Sequence, residues 1–320
     1  MIIFDQTALL LLILVPLFGA FLMAIMSKDR PKDIWYFAIF IGSITLVIST
    51  IVFFRYDYHI GGIQFANSFD WLDKPLKIEL SLGIDGISAP LVLLNGVVLL
   101  GAVLISQTIS HRPRDFFVLL FALGSGVFGV FVVRDLFFLF FFYELAVLPM
   151  YLLIGVWGSS TDFVTFIRTK EYGAMKLMIV LVAGSILVWI ALLAVYVESS
   201  SGTFSLLTIG EATFSRNFQI VFFPMFMVGF GILAGLWPFH TWSPDGHVAA
   251  PTSVSMLHAG VLMKLGAYGI IRVGIDILPE GAQEWMWLLM VLGTINVVYG
   301  AISAMGQRDL KYVIGYSSVS

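Results

Sequence analysis

The chain has 320 residues, of which 59% are hydrophobic and only 12% are Asp, Glu, Lys or Arg, and its net charge is −3. A soluble globular domain carries roughly 25% charged residues, so this composition predicts a protein whose solvent is lipid. The sequence has no basic block that would bind nucleic acid, and the lack of cysteine excludes disulfides, thiolate metal sites and iron–sulfur ligation within it.

Nine apolar segments are each long enough to cross a bilayer, for which about 20 residues are needed. In chain order the predicted spans are 7–27, 34–54, 87–109, 115–133, 136–157, 172–197, 218–236, 251–272 and 283–305, and a tenth begins near Val313. No basic region precedes the first apolar run, so we expect a retained helix rather than a cleaved signal peptide. The sequence thus predicts an all-α polytopic membrane protein that forms one membrane domain over residues 1–320.

The stretch between the second and third spans, residues 55–86, is too polar to cross the membrane. Its segments IQFANSFDWL and KIELSLGIDG alternate partly between apolar and polar residues, which predicts a small β-hairpin against the membrane face. Lysines and arginines favour an orientation with the N-terminus outside, because the loops that would then be cytoplasmic carry nine of them and the outer loops carry six.

Few ionisable side chains lie inside the predicted spans, where each charge costs roughly 2.5–3.5 kcal/mol at the bilayer centre. Glu144 lies in the middle of the fifth span among phenylalanines and leucines, and Lys264 lies near the centre of the eighth, six residues after His258. Each could carry protons, or be structural: Glu144 as a neutral acid bonded to the backbone, Lys264 as one half of an ion pair. Lys176, near the start of the sixth span, could carry protons or extend to the interface.

The segment AGLWPFHTWSPDGHVAAP, residues 234–251, contains three prolines and cannot form a regular helix. Helices broken at membrane depth occur where they line a cavity or are buried in protein, and half-helix ends commonly face ions in transporters. His240 and His247 lie at this break. Because histidine titrates near neutral pH, both are relay candidates, with hydrogen-bonded loop residues as the alternative. We find no phosphate loop, nucleophile triad or metal-ligand spacing, so we expect no cofactor and no metal.

Several segments resemble one family. FFYELAVLPMYLLIG is similar to the fifth-helix motif of the antiporter-like, proton-translocating subunits of respiratory complex I. PFHTWSPDGHVAAPTSVSMLHAGVLMKLGAYGIIR resembles their seventh and eighth helices, where the family typically reads P-L-H-T-W-L-P-D-A-H, then A-P-T, then a lysine before Tyr-Gly. LGIDGIS and QRDLKYVIGYSSVS match as well, and the resemblance is best to the M-type subunits.

The resemblance implies an antiporter-like fold of fourteen helices with two inverted five-helix repeats, each containing a broken helix. Residues 1–110 would form three N-terminal helices, 115–272 the first repeat and 283–320 the start of the second. It also implies a non-redox subunit of NADH:quinone oxidoreductase that moves protons beside neighbouring antiporter-like subunits and lipid, in a bacterial cytoplasmic membrane. The relay residues that it implies are Glu144, Lys264, Lys176, His240 and His247.

This sequence departs from the family pattern in two ways. Seven residues before the first motif histidine the family has a lysine, and here that position is Leu233. Glu144 could pair with Lys176 instead, and His258 could replace part of the relay. The chain also ends just inside the tenth helix, before a relay residue that the family has on the twelfth, so we expect a fragment or a remainder in another chain.

The mechanism that we infer from the resemblance makes Glu144 a switch whose charge sets the proton affinity of Lys264. Two other functions are compatible with the same motifs. A subunit of a multi-subunit cation/proton antiporter or membrane-bound hydrogenase would share the fold, and a structural membrane subunit that no longer pumps would explain Leu233.

Overall fold

The structure is a computed structural model that describes residues 2–72, 77–162 and 167–320. The first six long helices and two short hairpins are α1 (Ile2–Ile25), α2 (Pro31–Arg55), β1 (Gln64–Leu72), β2 (Ile78–Ile84), α3 (Ser88–Ile105), α4 (Pro113–Val132), α5 (Leu136–Trp157), β3 (Thr161–Asp162), β4 (Ile167–Arg168) and α6 (Lys170–Ser199). The remainder comprises α7 (Leu206–Gly210), α8 (Arg216–Ala234), α9 (Trp242–Ala249), α10 (Thr252–Leu257), α11 (Met263–Gly269), α12 (Pro279–Met305) and α13 (Leu310–Val319).

Over the described residues, nine helical segments are long and apolar enough to cross a membrane, which confirms the nine predicted spans. The seventh span comprises α8 and α9, the eighth comprises α10 and α11, and α13 begins the tenth. The chain is therefore an integral, multi-pass membrane protein.

Helix α4 lies at the centre of the bundle, and small residues let its neighbours approach closely. A Cβ atom on Gly126 would lie 2.7 Å from the backbone nitrogen of Ala146 in α5, and one on Gly129 would overlap the ring of Phe142. Lipid tails are as apolar as leucine, so helices in a bilayer associate by close packing rather than by the hydrophobic effect. Glycine on α4 thereby fixes the position of α5, which carries Glu144.

The predicted hairpin forms from β1 and β2, which pair antiparallel with Ser68 opposite Ser81. Single bridges join it to the connections that follow α4 and α6, with Leu82 opposite Val133 and Lys77 beside Thr203. The hairpin therefore gathers the connections on one membrane face into a small polar layer.

The seventh span breaks where the prolines predict. Helix α8 ends at Ala234, and Gly235 follows in the left-handed conformation at φ 77°, which glycine adopts without strain. Side chains satisfy the backbone groups that the break exposes: the Trp242 Nε1 donates to the Ile232 carbonyl at 3.0 Å, and the Trp237 backbone N–H donates to Asn296 Oδ1 at 2.9 Å. The prediction of a broken seventh helix is confirmed.

The eighth span contains two π-helical segments, His258–Leu262 and Ile270–Ile275, on either side of α11. Segments of this kind are rare and occur frequently at functional sites. The apolar pattern does not reveal them, because a π turn changes the helical phase without changing the composition. Lys264 lies on the short α-helical stretch between the two.

Candidate functional site

Two histidines from consecutive spans lie face to face beside the break. His247 on α9 is 1% exposed, and the ring of His258 lies parallel to it with centroids 3.9 Å apart. Trp242 covers the other face of His258, with ring centroids 5.2 Å apart. His258 is fully buried, and neither of its nitrogens has a hydrogen-bond partner within the described part of the chain.

The close stacking limits how many protons the pair can hold. Two unit positive charges separated by 3.9 Å repel by roughly 4 kcal/mol even at an effective dielectric constant of 20. We therefore treat His247 and His258 as one site that accepts a single proton.

Lys264 adjoins this histidine pair. Its Nζ donates a hydrogen bond to the Ala259 carbonyl inside the first π segment, and it is near enough to interact electrostatically with both imidazoles. None of the ion pairs among the described residues involves Lys264. The structure therefore does not support the alternative in which Lys264 is one half of an ion pair with a carboxylate. A backbone carbonyl stabilises the ammonium instead.

Hydroxyl groups flank His247 on both edges of its ring. The Nδ1 atom lies 3.0 Å from the Ser255 Oγ on α10, and the Nε2 atom lies 3.0 Å from the Ser318 Oγ on α13. The pair of histidines is thus connected through side chains to the eighth and the tenth spans.

Lys176 and His240 lie at other parts of the break. The Lys176 Nζ donates to Asp245 Oδ2 at 2.8 Å, and this ion pair joins α6 to α9. The suggested pairing of Lys176 with Glu144 is therefore not the one observed. The His240 ring packs edge-on against Tyr299 of α12, with centroids 4.9 Å apart.

Glu144 lies apart from these groups. It is half-buried on α5, and its carboxyl faces the Ser185 hydroxyl of α6. Within the described residues, side chains form no hydrogen-bonded connection between Glu144 and Lys264. Leu233, at the position of the family lysine, is fully buried and apolar.

The sequence reasoning did not identify four residues of this site: Asp245, Gly246, Ser255 and Ser318. Gly246 has a signal in the sequence, because the family motif quoted above reads alanine there. A Cβ atom at this position would lie 3.3 Å from the Cε1 of His258 and 3.1 Å from a methyl carbon of Leu177. Glycine at residue 246 therefore lets the His258 ring approach α9 without crowding.

Charged residues also cluster on the hairpin side, at the ends of the spans. Asp85 accepts from Arg134 at 2.5 Å and from Arg272 at 2.8 Å, beside a cavity of about 450 Å³. Burial alone would raise the pKa of Asp85, but the Ser88 backbone N–H and the two guanidiniums hold that pKa below its usual value of 3.8. This cluster joins the hairpin to the ends of α4 and the eighth span.

Asp135, which precedes α5, has the opposite electrostatic environment. Its Oδ1 accepts from the backbone N–H groups of Phe137 and Phe138 at 2.9 and 3.1 Å, as an N-cap. Burial, with a smaller contribution from the charge of Glu79, raises the pKa of Asp135 from 3.8 to about 7. Over the described ranges, no group of three or more His, Cys, Asp or Glu residues could hold a metal ion.

The residues of the candidate site lie in a part of the chain that is similar to known proteins. Residues 133–320 match the family described as NADH:quinone oxidoreductase/Mrp antiporter, TM. NAD(P)H-quinone oxidoreductase chain 4 3 of Picosynechococcus sp. is 35% identical over 318 residues, which are 99% of this chain and 56% of that protein. The chain 4 protein of Gloeobacter violaceus is 34% identical over 313 residues, 98% of this chain and 57% of the relative. The chain thus spans about half the length of the curated relatives that it matches.

Solved structures share the fold. A chain of respiratory complex I from Thermus thermophilus superposes with a TM-score of 0.84 at 22% identity, over 98% of this chain and 62% of that one. A chain of the Mrp complex from Dietzia sp. superposes with a TM-score of 0.80 at 22% identity, over 98% of this chain and 33% of that one. These similarities confirm the antiporter-like fold predicted from the sequence.

Proposed function

Since the chain belongs to the NADH:quinone oxidoreductase/Mrp antiporter transmembrane family, we propose that it is a non-redox subunit that moves protons through the membrane arm of an NADH:quinone oxidoreductase. The observation that carries the proposal is the buried histidine pair beside Lys264, at a helix break and a π segment. Ionisable groups this deep in a membrane protein are costly and usually mark ion or proton pathways.

In this proposal Lys264 is the central proton-carrying group. An ammonium bonded to one backbone carbonyl, with no carboxylate partner among the described residues, releases its proton more readily than one in an ion pair. The His247–His258 pair is the adjacent acceptor and takes the role that the family lysine at the position of Leu233 would have. Lys176 and His240 hold the break in place and complete its polar lining.

Glu144 acts on this site from a distance. Two unit charges about 8 Å apart at an effective dielectric of 20 interact by roughly 2 kcal/mol, which is more than a tenfold change in proton affinity. The charge on Glu144 would therefore favour the protonated form of Lys264, and neutralising Glu144 would favour proton release. Quinone reduction in other subunits would drive the change in Glu144.

The partners and the location follow from the same proposal. We expect contacts with other antiporter-like subunits of the membrane arm and with lipid, in a bacterial cytoplasmic membrane. A subunit of a multi-subunit cation/proton antiporter is the second candidate, because the Mrp complex from Dietzia sp. has the same fold. The relatives that are about a third identical carry the name of the oxidoreductase, which favours the first candidate.

Substitution in the assembled complex tests the proposal. Lys264→Ala and Glu144→Ala should each lower the number of protons translocated per electron, because the share carried by this subunit is lost, measured as acidification of vesicles alongside the rate of NADH oxidation. Lys28→Ala, which removes an exposed lysine between α1 and α2, is the control. Unchanged proton translocation in either test variant would contradict this mechanism, and no change in both would favour a structural subunit that does not pump.

A further inference from the structure

We propose that the pocket between the start of α2 and the start of α4 binds the phosphoglycerol headgroup of an anionic phospholipid, with Lys32 as the partner of its phosphate. The pocket has a volume of about 330 Å³. One wall is the first turn of α2, and the other is the connection 106–113 between α3 and α4. The pocket therefore lies at the ends of the second, third and fourth spans, on the membrane face opposite the hairpin. This inference does not depend on proton translocation.

The charge around the pocket favours an anion. Lys32 lines the pocket, and none of the ion pairs within the described part of the chain involves it. Beside the other wall, Arg112 and Arg114 share the single carboxylate of Asp115, at 2.7 and 3.2 Å, so one positive charge remains there without a counter-ion. Basic pockets between spans on the cytoplasmic side of a membrane bind anionic headgroups. The phosphate of an anionic lipid supplies the charge that balances Lys32.

Uncharged polar groups on the second wall favour a glycerol headgroup. The side chains of Gln107, Thr108 and Ser110 line the pocket, are exposed, and have no hydrogen-bond partner within the described residues. The Ser106 hydroxyl donates to the Ala102 carbonyl at 2.7 Å, so its oxygen remains an acceptor. Glycerol hydroxyls both donate and accept hydrogen bonds and therefore suit this wall. A choline headgroup has no donor, and its positive charge would be repelled by the nearby lysine and arginines.

Two aromatic residues place the pocket at the level of the headgroups. The Trp35 Nε1 donates to the Val103 carbonyl at 3.0 Å, which fixes the indole ring against α3. Tyr36 follows it in the same wall and is 62% exposed. Tryptophan and tyrosine are enriched at membrane–water interfaces, where their amphipathic rings lie among the headgroups. A headgroup in the pocket would therefore lie at its normal depth in the membrane.

An apolar stripe on α2 leads from the pocket into the membrane. Phe40 and Val47 lie about one and three turns after Tyr36, so the three side chains share one face of the helix, and both are more than half exposed. From Tyr36 to Val47 the helix rises about 16 Å, which is about half the thickness of the hydrocarbon core. An acyl chain attached to a headgroup in the pocket thus has an apolar surface to follow through one leaflet.

The experiment titrates the full chain in detergent with phosphatidylglycerol or with phosphatidylcholine of the same acyl chains, and measures bound lipid by native mass spectrometry. Wild type should bind phosphatidylglycerol several-fold more tightly. Lys32→Ala should lose about fivefold in affinity for phosphatidylglycerol and most of the preference over phosphatidylcholine, and Lys32→Arg should retain both. Lys28→Ala, which removes an exposed lysine outside the pocket, is the matched control and should bind like wild type.

A second readout locates the lipid. Phosphatidylglycerol with a photoreactive headgroup should crosslink to residues 31–36 and 106–113, and inorganic phosphate should not compete with it because phosphate has no acyl chain. Equal affinity of wild type for the two lipids would overturn the proposal, as would crosslinks confined to other parts of the chain. If Lys28→Ala weakens binding as much as Lys32→Ala, the attraction is a general effect of surface charge and the pocket is not a site. Displacement of the lipid by inorganic phosphate would mean a phosphate site rather than a lipid site.

Discussion

The His258 ring lies where a methyl group on residue 246 would crowd it. Its imidazole is enclosed by His247 and Trp242, and its Cε1 lies within 3.3 Å of the place where a Cβ of residue 246 would be. A side chain at 246 would therefore require the His258 ring or its neighbours to shift by a few tenths of an ångström.

Gly246→Ala tests this dependence. The added methyl group should displace the His258 ring and reduce proton translocation several-fold, whereas in a His258→Ala background the same change should have little further effect. Residues in contact show such non-additivity, commonly by about 0.5–3 kcal/mol. The measurement is a double-mutant cycle on translocation rates. Equal effects of Gly246→Ala in both backgrounds would contradict the proposed contact.

At the residue scale the sequence identified the types of group but not their partners. Glu144, Lys264 and the histidines stand out in the sequence because ionisable side chains are rare in apolar spans. The partner of Lys176 was not found, because Asp245 lies 69 residues away on a half-helix whose position depends on the break. Serines such as Ser318 give no signal, since hydroxyls are common and inexpensive in membrane helices.

Helix α5 begins at a carboxyl group whose ionisation opposes folding at neutral pH. Asp135 caps the helix through Oδ1, yet it is fully buried and near the charge of Glu79. Its pKa is raised from 3.8 to about 7, so between those pH values the folded protein binds a proton that the unfolded chain has released. The free energy of unfolding must therefore fall as the pH rises through this window.

Asp135→Asn should remove that pH dependence. The amide oxygen can still cap α5, and the group no longer ionises, so the variant should gain up to about 4 kcal/mol over wild type at pH 7 and little at pH 4. Thermal unfolding in detergent across this range measures the difference. Asp70→Asn, at an exposed position on β1, should behave like wild type. If wild type and Asp135→Asn lose stability in parallel as the pH rises, the raised pKa of Asp135 is contradicted.

At the element scale, the predictable features were those with a chemical cause in the local sequence. Prolines predict the break after Ala234, and partial alternation predicts the hairpin of β1 and β2. The π segments of the eighth span were not predicted, because nothing in their composition differs from that of an α-helix. They follow from how the span packs against its neighbours, which only the structure supplies.

Over the whole molecule, the connections between spans form two separate groups. On one side the hairpin contacts the connections after α4 and α6, and Asp85 contacts Arg272 at the end of the eighth span. On the other side the Trp157 Nε1 donates to the His111 carbonyl, and the Ser159 backbone N–H donates to the Ala249 carbonyl. Successive connections thus lie on alternate sides, as successive crossings of one membrane require. The remaining question is which of the two sides is the outer one.

The excess of lysine and arginine favours the hairpin side as the outer one, and the lack of cysteine makes this easy to test. Ser68→Cys, on the exposed face of β1, should react with a membrane-impermeant maleimide in intact cells. Ser27→Cys, between α1 and α2, should react only after permeabilisation, and the protein without either substitution is the control for background labelling. The reverse pattern would invert the orientation. It would also place Asp135 on the opposite face of the membrane. The pH of the other compartment would then control the ionisation of Asp135 at the start of α5.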